Sequence, residues 1–74
     1  METNIVTTLF TENEIVQLIE LYNEAIRQFN YDTEINPFAY PDYSEITDFI
    51  GNKFKQLTDK LTKELTNEVV NYLI

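Results

Sequence analysis

Phe10-Thr11-Glu12-Asn13-Glu14-Ile15-Val16-Gln17-Leu18-Ile19-Glu20-Leu21-Tyr22-Asn23-Glu24-Ala25-Ile26-Arg27-Gln28-Phe29 is the stretch that settles the fold class. Thr11 and Glu14 stand three residues apart, the spacing of a capping box. The threonine hydroxyl accepts from the Glu14 amide, and the Glu14 carboxylate accepts from the Thr11 amide. Phe10 and Ile15 occupy the two positions of a hydrophobic staple around that box. Glu12 and Glu14 fall in the first turn, where the helix dipole favours negative charge. Beyond them Ile15, Leu18, Ile19, Tyr22, Ile26 and Phe29 recur at steps of three and four, and Val16 and Leu21 widen the apolar face. The pattern predicts an amphipathic helix over 12–29.

Working outward, residues 30–43 read as a loop rich in aromatics: Tyr31, Phe38, Tyr40 and Tyr43. Asn36-Pro37 and Tyr40-Pro41 each push the residue before proline out of helical conformation. A second helical pattern runs over 44–72, with Asp42 and Ser44 as candidate N-caps. Ile46, Ile50, Phe54, Leu57, Leu61, Leu65, Val69 and Tyr72 share one face of it. The spacing does not keep a heptad, so a long coiled coil is not indicated. Gly51-Asn52 is the point where this pattern can split into 44–50 and 53–72. Residues 1–10 contain Ile5, Val6, Leu9 and Phe10 and fit either an extended N-terminal arm or an extra helical turn. The expectation is a single all-α domain over 1–74, a small helical hairpin or three-helix bundle with a long aromatic-rich loop.

The charge is lopsided. Residues 1–50 hold ten carboxylates against Arg27 alone, while residues 51–74 hold Lys53, Lys55, Lys60 and Lys63 against three carboxylates, and the net charge is −8. Such a field repels nucleic acid and anionic membrane and attracts basic protein surfaces. The hydrophobic fraction of 43% is too high for a disordered acidic tail. No apolar run approaches the ~20 residues that span a bilayer. The acidic Met1-Glu2-Thr3-Asn4 start lacks the basic character of a signal peptide. With no cysteine and no histidine, neither a disulfide nor a zinc site reinforces a chain this small. Well-packed helices or self-association must do so instead.

The same absences remove imidazole and thiol catalysis, and one glycine cannot make a phosphate-cradling loop. Glu20 and Glu24 lie one turn apart on the first helix, but the Glu-x-x-His of a dinuclear carboxylate site is missing, and they read as a solvated face. Asp32, Glu34 and Asn36 mimic positions 1, 3 and 5 of a calcium loop. Pro37 then stands where glycine should make the sharp turn, and Tyr43 where a chelating glutamate belongs, so calcium is excluded there. No catalytic, metal or cofactor site is expected. Phe29, Phe49 and Phe54 are expected in the core, with Phe38, and Tyr40 as a second candidate, folding over the helices to close it. Tyrosine beside carboxylates, as at Tyr40 and Tyr43, is also the composition of a protein-binding hot spot. Lys60–Glu64 and Asp59–Lys63 are spaced to pair along the helix.

The functional expectation is a non-enzymatic acidic inhibitor of a basic protein partner. Its contact residues would be Glu20, Glu24, Asp32, Glu34, Tyr40, Asp42, Tyr43, Glu45 and Asp48. At its sharpest this is a nucleic-acid mimic that blocks a basic nucleic-acid-processing or defence enzyme. The abundance of Asn, Ile, Thr, Tyr and Lys points to AT-rich coding in a bacterium, its phage or a mobile element, and so to the cytoplasm of a bacterial host. The alternatives are an immunity- or antitoxin-type neutraliser and a self-associating helical subunit, a homodimer in its simplest form.

Overall fold

The computed structural model describes residues 4–74, in which four helices follow one another and no strand occurs. They are α1 (Ile5–Leu9), α2 (Glu12–Ile35), α3 (Ser44–Lys53) and α4 (Asp59–Leu73). The all-α class expected from the periodicity is what the chain adopts.

Each boundary has a local cause. Asn4 caps α1, its side chain accepting from the Val6 amide at 2.8 Å. The expected extended arm is therefore a helical turn from Ile5 onward, and residues 1–3 lie outside the described residues. Phe10 and Thr11 are both extended and turn the chain from α1 directly into α2. The capping box forms as the sequence predicts: Glu14 N–H donates to Thr11 Oγ1 at 3.2 Å, and Thr11 N–H donates to Glu14 Oε1 at 2.9 Å.

At the far end, α2 continues past the expected stop at Phe29 to Ile35. The reason is that proline restricts only the residue before it. Asn36 is extended, while its amide still closes the last turn on the Asp32 carbonyl at 2.8 Å. The loop over 30–43 contracts to residues 36–43, and Asp32, Thr33 and Glu34 are helical. The break in the second pattern also moves. Gly51 lies inside α3, and the chain leaves the helix at Phe54, resuming only where the Thr58 hydroxyl accepts from the Leu61 amide at 3.2 Å. Thr58-Asp59, a capping residue followed by a first-turn acid, is the signal that marks this second start.

The buried core is Val6, Phe10, Leu18, Ile46, Ile50, Val69 and Val70. Phe49, Phe54, Tyr43 and Tyr22 pack against it. The Phe10 ring meets Phe54 edge-on at 5.6 Å and lies 6.5 Å from Phe49. The buried face of α4 differs from the expected stripe. Thr62 and Thr66 are buried beside Val69 and Val70, whereas Leu61 and Tyr72 are exposed. Burial of the two hydroxyls carries little polar cost because each finds an acceptor one turn back, Thr62 on the Thr58 carbonyl at 2.9 Å and Thr66 on the Thr62 carbonyl at 2.8 Å. Thr66 also shares a hydrogen bond of 3.1 Å with Thr47 of α3. Neither Lys60–Glu64 nor Asp59–Lys63 forms an ion pair; those among the described residues are Arg27–Glu24 and Lys53–Glu14.

A Cβ added at Gly51 would meet nothing within 4 Å, and the backbone there has no positive φ. Gly51→Ala is therefore expected to raise stability by about 0.5–1 kcal/mol in urea denaturation, as removal of a helical glycine does. Ile50→Ala, one residue earlier and fully buried, should lower it by about 2–5 kcal/mol. Destabilisation by Gly51→Ala would contradict the continuous α3.

Candidate interaction surface

The end of α2 and the segment after it, here termed the tip, take their shape from a few polar contacts. Asn36 Oδ1 accepts from the Phe38 amide at 3.0 Å, and the Asn36 carbonyl accepts from the Ala39 amide at 3.0 Å. Pro37 and Phe38 thus occupy the two central positions of a tight turn, where proline's fixed φ suits the first. The turn holds Phe38 outward. Phe38 is 82% exposed, Tyr40 86% and Ile35 72%. Neither Phe38 nor Tyr40 therefore closes the core as expected. Tyr31 is exposed as well. Four large apolar residues consequently share the tip with Asp32, Glu34 and Asp42, of which Asp32 accepts from Gln28 Nε2 at 3.0 Å.

The other expected contact residues divide between two settings. Glu24, Asp42 and Glu45 come together around a recess of about 180 Å³ between α2 and the start of α3, floored by Leu21, Ala25 and Ile46. Arg27 pairs with Glu24 at 2.7 Å, which leaves Asp42 and Glu45 as the uncompensated charges of that recess. Glu20 and Asp48 are exposed on α2 and α3 but do not line it. Tyr43 is half-buried and stacks on Tyr22 with ring centroids 6.1 Å apart and planes 12° from parallel. Its ring is committed to the fold, whereas Tyr40 is exposed. Burial, and secondarily Tyr22, raises the Tyr43 hydroxyl above its ordinary pKa. Ile35, which sequence periodicity left in the loop, joins the surface only because α2 reaches it.

Two carboxylates are tuned by their neighbours. Glu14 is held below the usual glutamate range, chiefly by its hydrogen bond with Lys53 and next by the Thr11 amide. Asp42 is lowered by the Ser44 amide, which donates to its Oδ1 at 3.0 Å. Asp42 thereby supplies the side-chain acceptor at the start of α3, where Tyr43, in the cap position, offers none.

No family model, curated protein or solved structure matches the chain. No helix among the described residues is long and apolar enough to cross a membrane.

Both lowered carboxylates favour the folded state when ionised. Their contribution is complete above the unfolded carboxylate pKa and is lost as pH falls through the lower folded value. Glu14→Gln and Asp42→Asn should therefore be less stable than the wild type at neutral pH, with the gap narrowing as the solution is acidified through the carboxylate range. Urea midpoints measured across that range check this, and a gap independent of pH would refute the assigned contacts.

Proposed function

We propose that the protein is a non-enzymatic acidic inhibitor that docks its tip on a basic surface of a partner protein. The observation that carries this reading is the exposure of Ile35, Phe38 and Tyr40 side by side with Asp32, Glu34 and Asp42. Large apolar groups in water are costly to maintain without a use, and aromatic anchors surrounded by polar groups are the usual energetic centre of a protein interface. The net charge of −8 would steer a basic partner toward the tip and make binding sensitive to salt. In its sharpest form, the carboxylates of α2 and of the α2–α3 recess take the place of phosphates before a basic nucleic-acid-processing or defence enzyme. The cytoplasm of a bacterial host and a phage or mobile-element origin fit that form. An immunity- or antitoxin-type neutraliser would use the same physics.

A second reading, a self-associating helical subunit, draws on the small size of the core, which holds seven buried apolar residues. Salt separates the two readings, because apolar self-association is not weakened by screening as charge steering is.

The tip is tested by affinity capture from a bacterial lysate on the wild-type protein and on a Phe38→Ala/Tyr40→Ala variant. A captured basic enzyme should lose activity when the wild type is titrated in, and elute at moderate salt. Truncating a hot-spot aromatic costs about 2 kcal/mol or more, roughly a thirtyfold loss of affinity. Both residues are exposed, so the helical circular dichroism should not change. Inhibition equal in the variant and the wild type would remove the tip from the mechanism.

A further inference from the structure

Leucines at the edge of the core, of which Leu61 is exposed, line a second surface. Ile5 and Leu9 of α1, with Leu57, Leu61 and Leu65, line a groove of about 630 Å³ whose remaining lining residues are Glu64 and Glu68. Ile5 and Leu61 are each 48% exposed. The groove shares no residue with the tip, and nothing among the described residues fills it. We propose that it binds a basic amphipathic helix of a partner protein.

Shape and charge both select that occupant. A groove between two helices presents side-chain ridges into which a third helix packs its own. From Leu61 to Glu68 is about 10 Å along α4, two turns. A helix with apolar residues at i, i+3, i+4 and i+7 matches that length. Glu64 and Glu68 are exposed and form no ion pair among the described residues, so lysine or arginine flanking the apolar stripe would meet them. A second copy of this chain fits less well. Symmetric pairing would bring Glu64 and Glu68 of both copies into one apolar interface, and Lys60 and Lys63 do not line the groove to offset them.

The test is an NMR titration of the full-length ¹⁵N-labelled protein with a designed Leu/Lys peptide whose leucines fall at i, i+3, i+4 and i+7. A scrambled peptide of the same composition is the control. The expected result is saturable shifts at Ile5, Leu9, Leu61, Leu65 and Glu68, with the amphipathic peptide binding about tenfold or more tightly than the scrambled one. Leu61→Lys and Glu64→Lys/Glu68→Lys, all at exposed positions, should each weaken it by a similar factor while the helical circular dichroism holds. Equal affinity for the two peptides, or shifts confined to the acidic face of α2, would overturn the proposal as mere charge attraction. Groove shifts that depend on protein concentration without peptide, with a sedimenting dimer abolished by Leu61→Lys, would overturn it in favour of a second copy.

Discussion

Val6, Phe10, Leu18, Ile46, Ile50, Val69 and Val70 make up the buried apolar core of the described chain, and no two consecutive helices could assemble it alone. Val6 comes from α1, Phe10 from the corner after it, Leu18 from α2, two isoleucines from α3 and two valines from α4. A domain of this size buries roughly 60% of the surface its unfolded chain exposes. With no disulfide available, each of these side chains, worth about 1.5–3 kcal/mol when fully buried, carries a large share of the stability. The rest of the architecture is arranged around keeping them together. α2 contributes a single fully buried residue, so most of this longest helix is free to carry charge. Its ~36 Å length nearly matches the 39 Å longest extent of the molecule.

Lys53 shows how charge is used inside this frame. It ends α3, where a cation complements the helix dipole. Its ammonium lies 4.9 Å from the centroid of Phe10 and 5.3 Å from that of Phe54, and it pairs with Glu14 of the α2 capping box. One side chain thus ties the start of α2, the corner after α1 and the end of α3. The other lysines are exposed. Apart from Glu14 and Glu24, the carboxylates of the described residues form no ion pair, which leaves an acidic molecule with two exposed apolar surfaces of different character. The tip offers exposed aromatics among carboxylates; the groove offers a recess with a carboxylate rim. Under the readings proposed above, a partner for the first would present basic pockets and a partner for the second a basic ridge.

Much of the helical framework is legible in the sequence. Thr11 and Glu14 announce the start of α2 through the spacing of two side chains and two amides. Asp42 and Ser44 mark the start of α3, and Thr58-Asp59 marks that of α4. Pro37 sets the limit of α2, although the restriction falls on Asn36 and leaves Asn30 to Ile35 free to stay helical. These are local matters: each depends on groups within a few residues, so the order of residues decides them. The acidity of the first fifty residues and the absence of histidine and cysteine are likewise read directly from the sequence.

Which face each helix buries was decided only in three dimensions. Along α4 and the residues leading into it, the leucines at 57, 61 and 65 and the pair Thr62 and Thr66 are both periodic, and hydropathy favours the leucines. The threonines win the buried position because their hydroxyls are satisfied one turn back on their own helix, and Thr66 meets Thr47 of α3. That packing turns Leu61 outward and, with Ile5 of α1, creates the groove. Likewise the composition around Phe38 and Tyr40 suits a core as well as an interface. Both are exposed in the turn after α2, which only the folded chain reveals. Sequence determined where helices begin, how they are capped and what charge they carry, because those depend on neighbours along the chain. Tertiary structure determined what is buried and what is left exposed, because that depends on which surfaces meet across it.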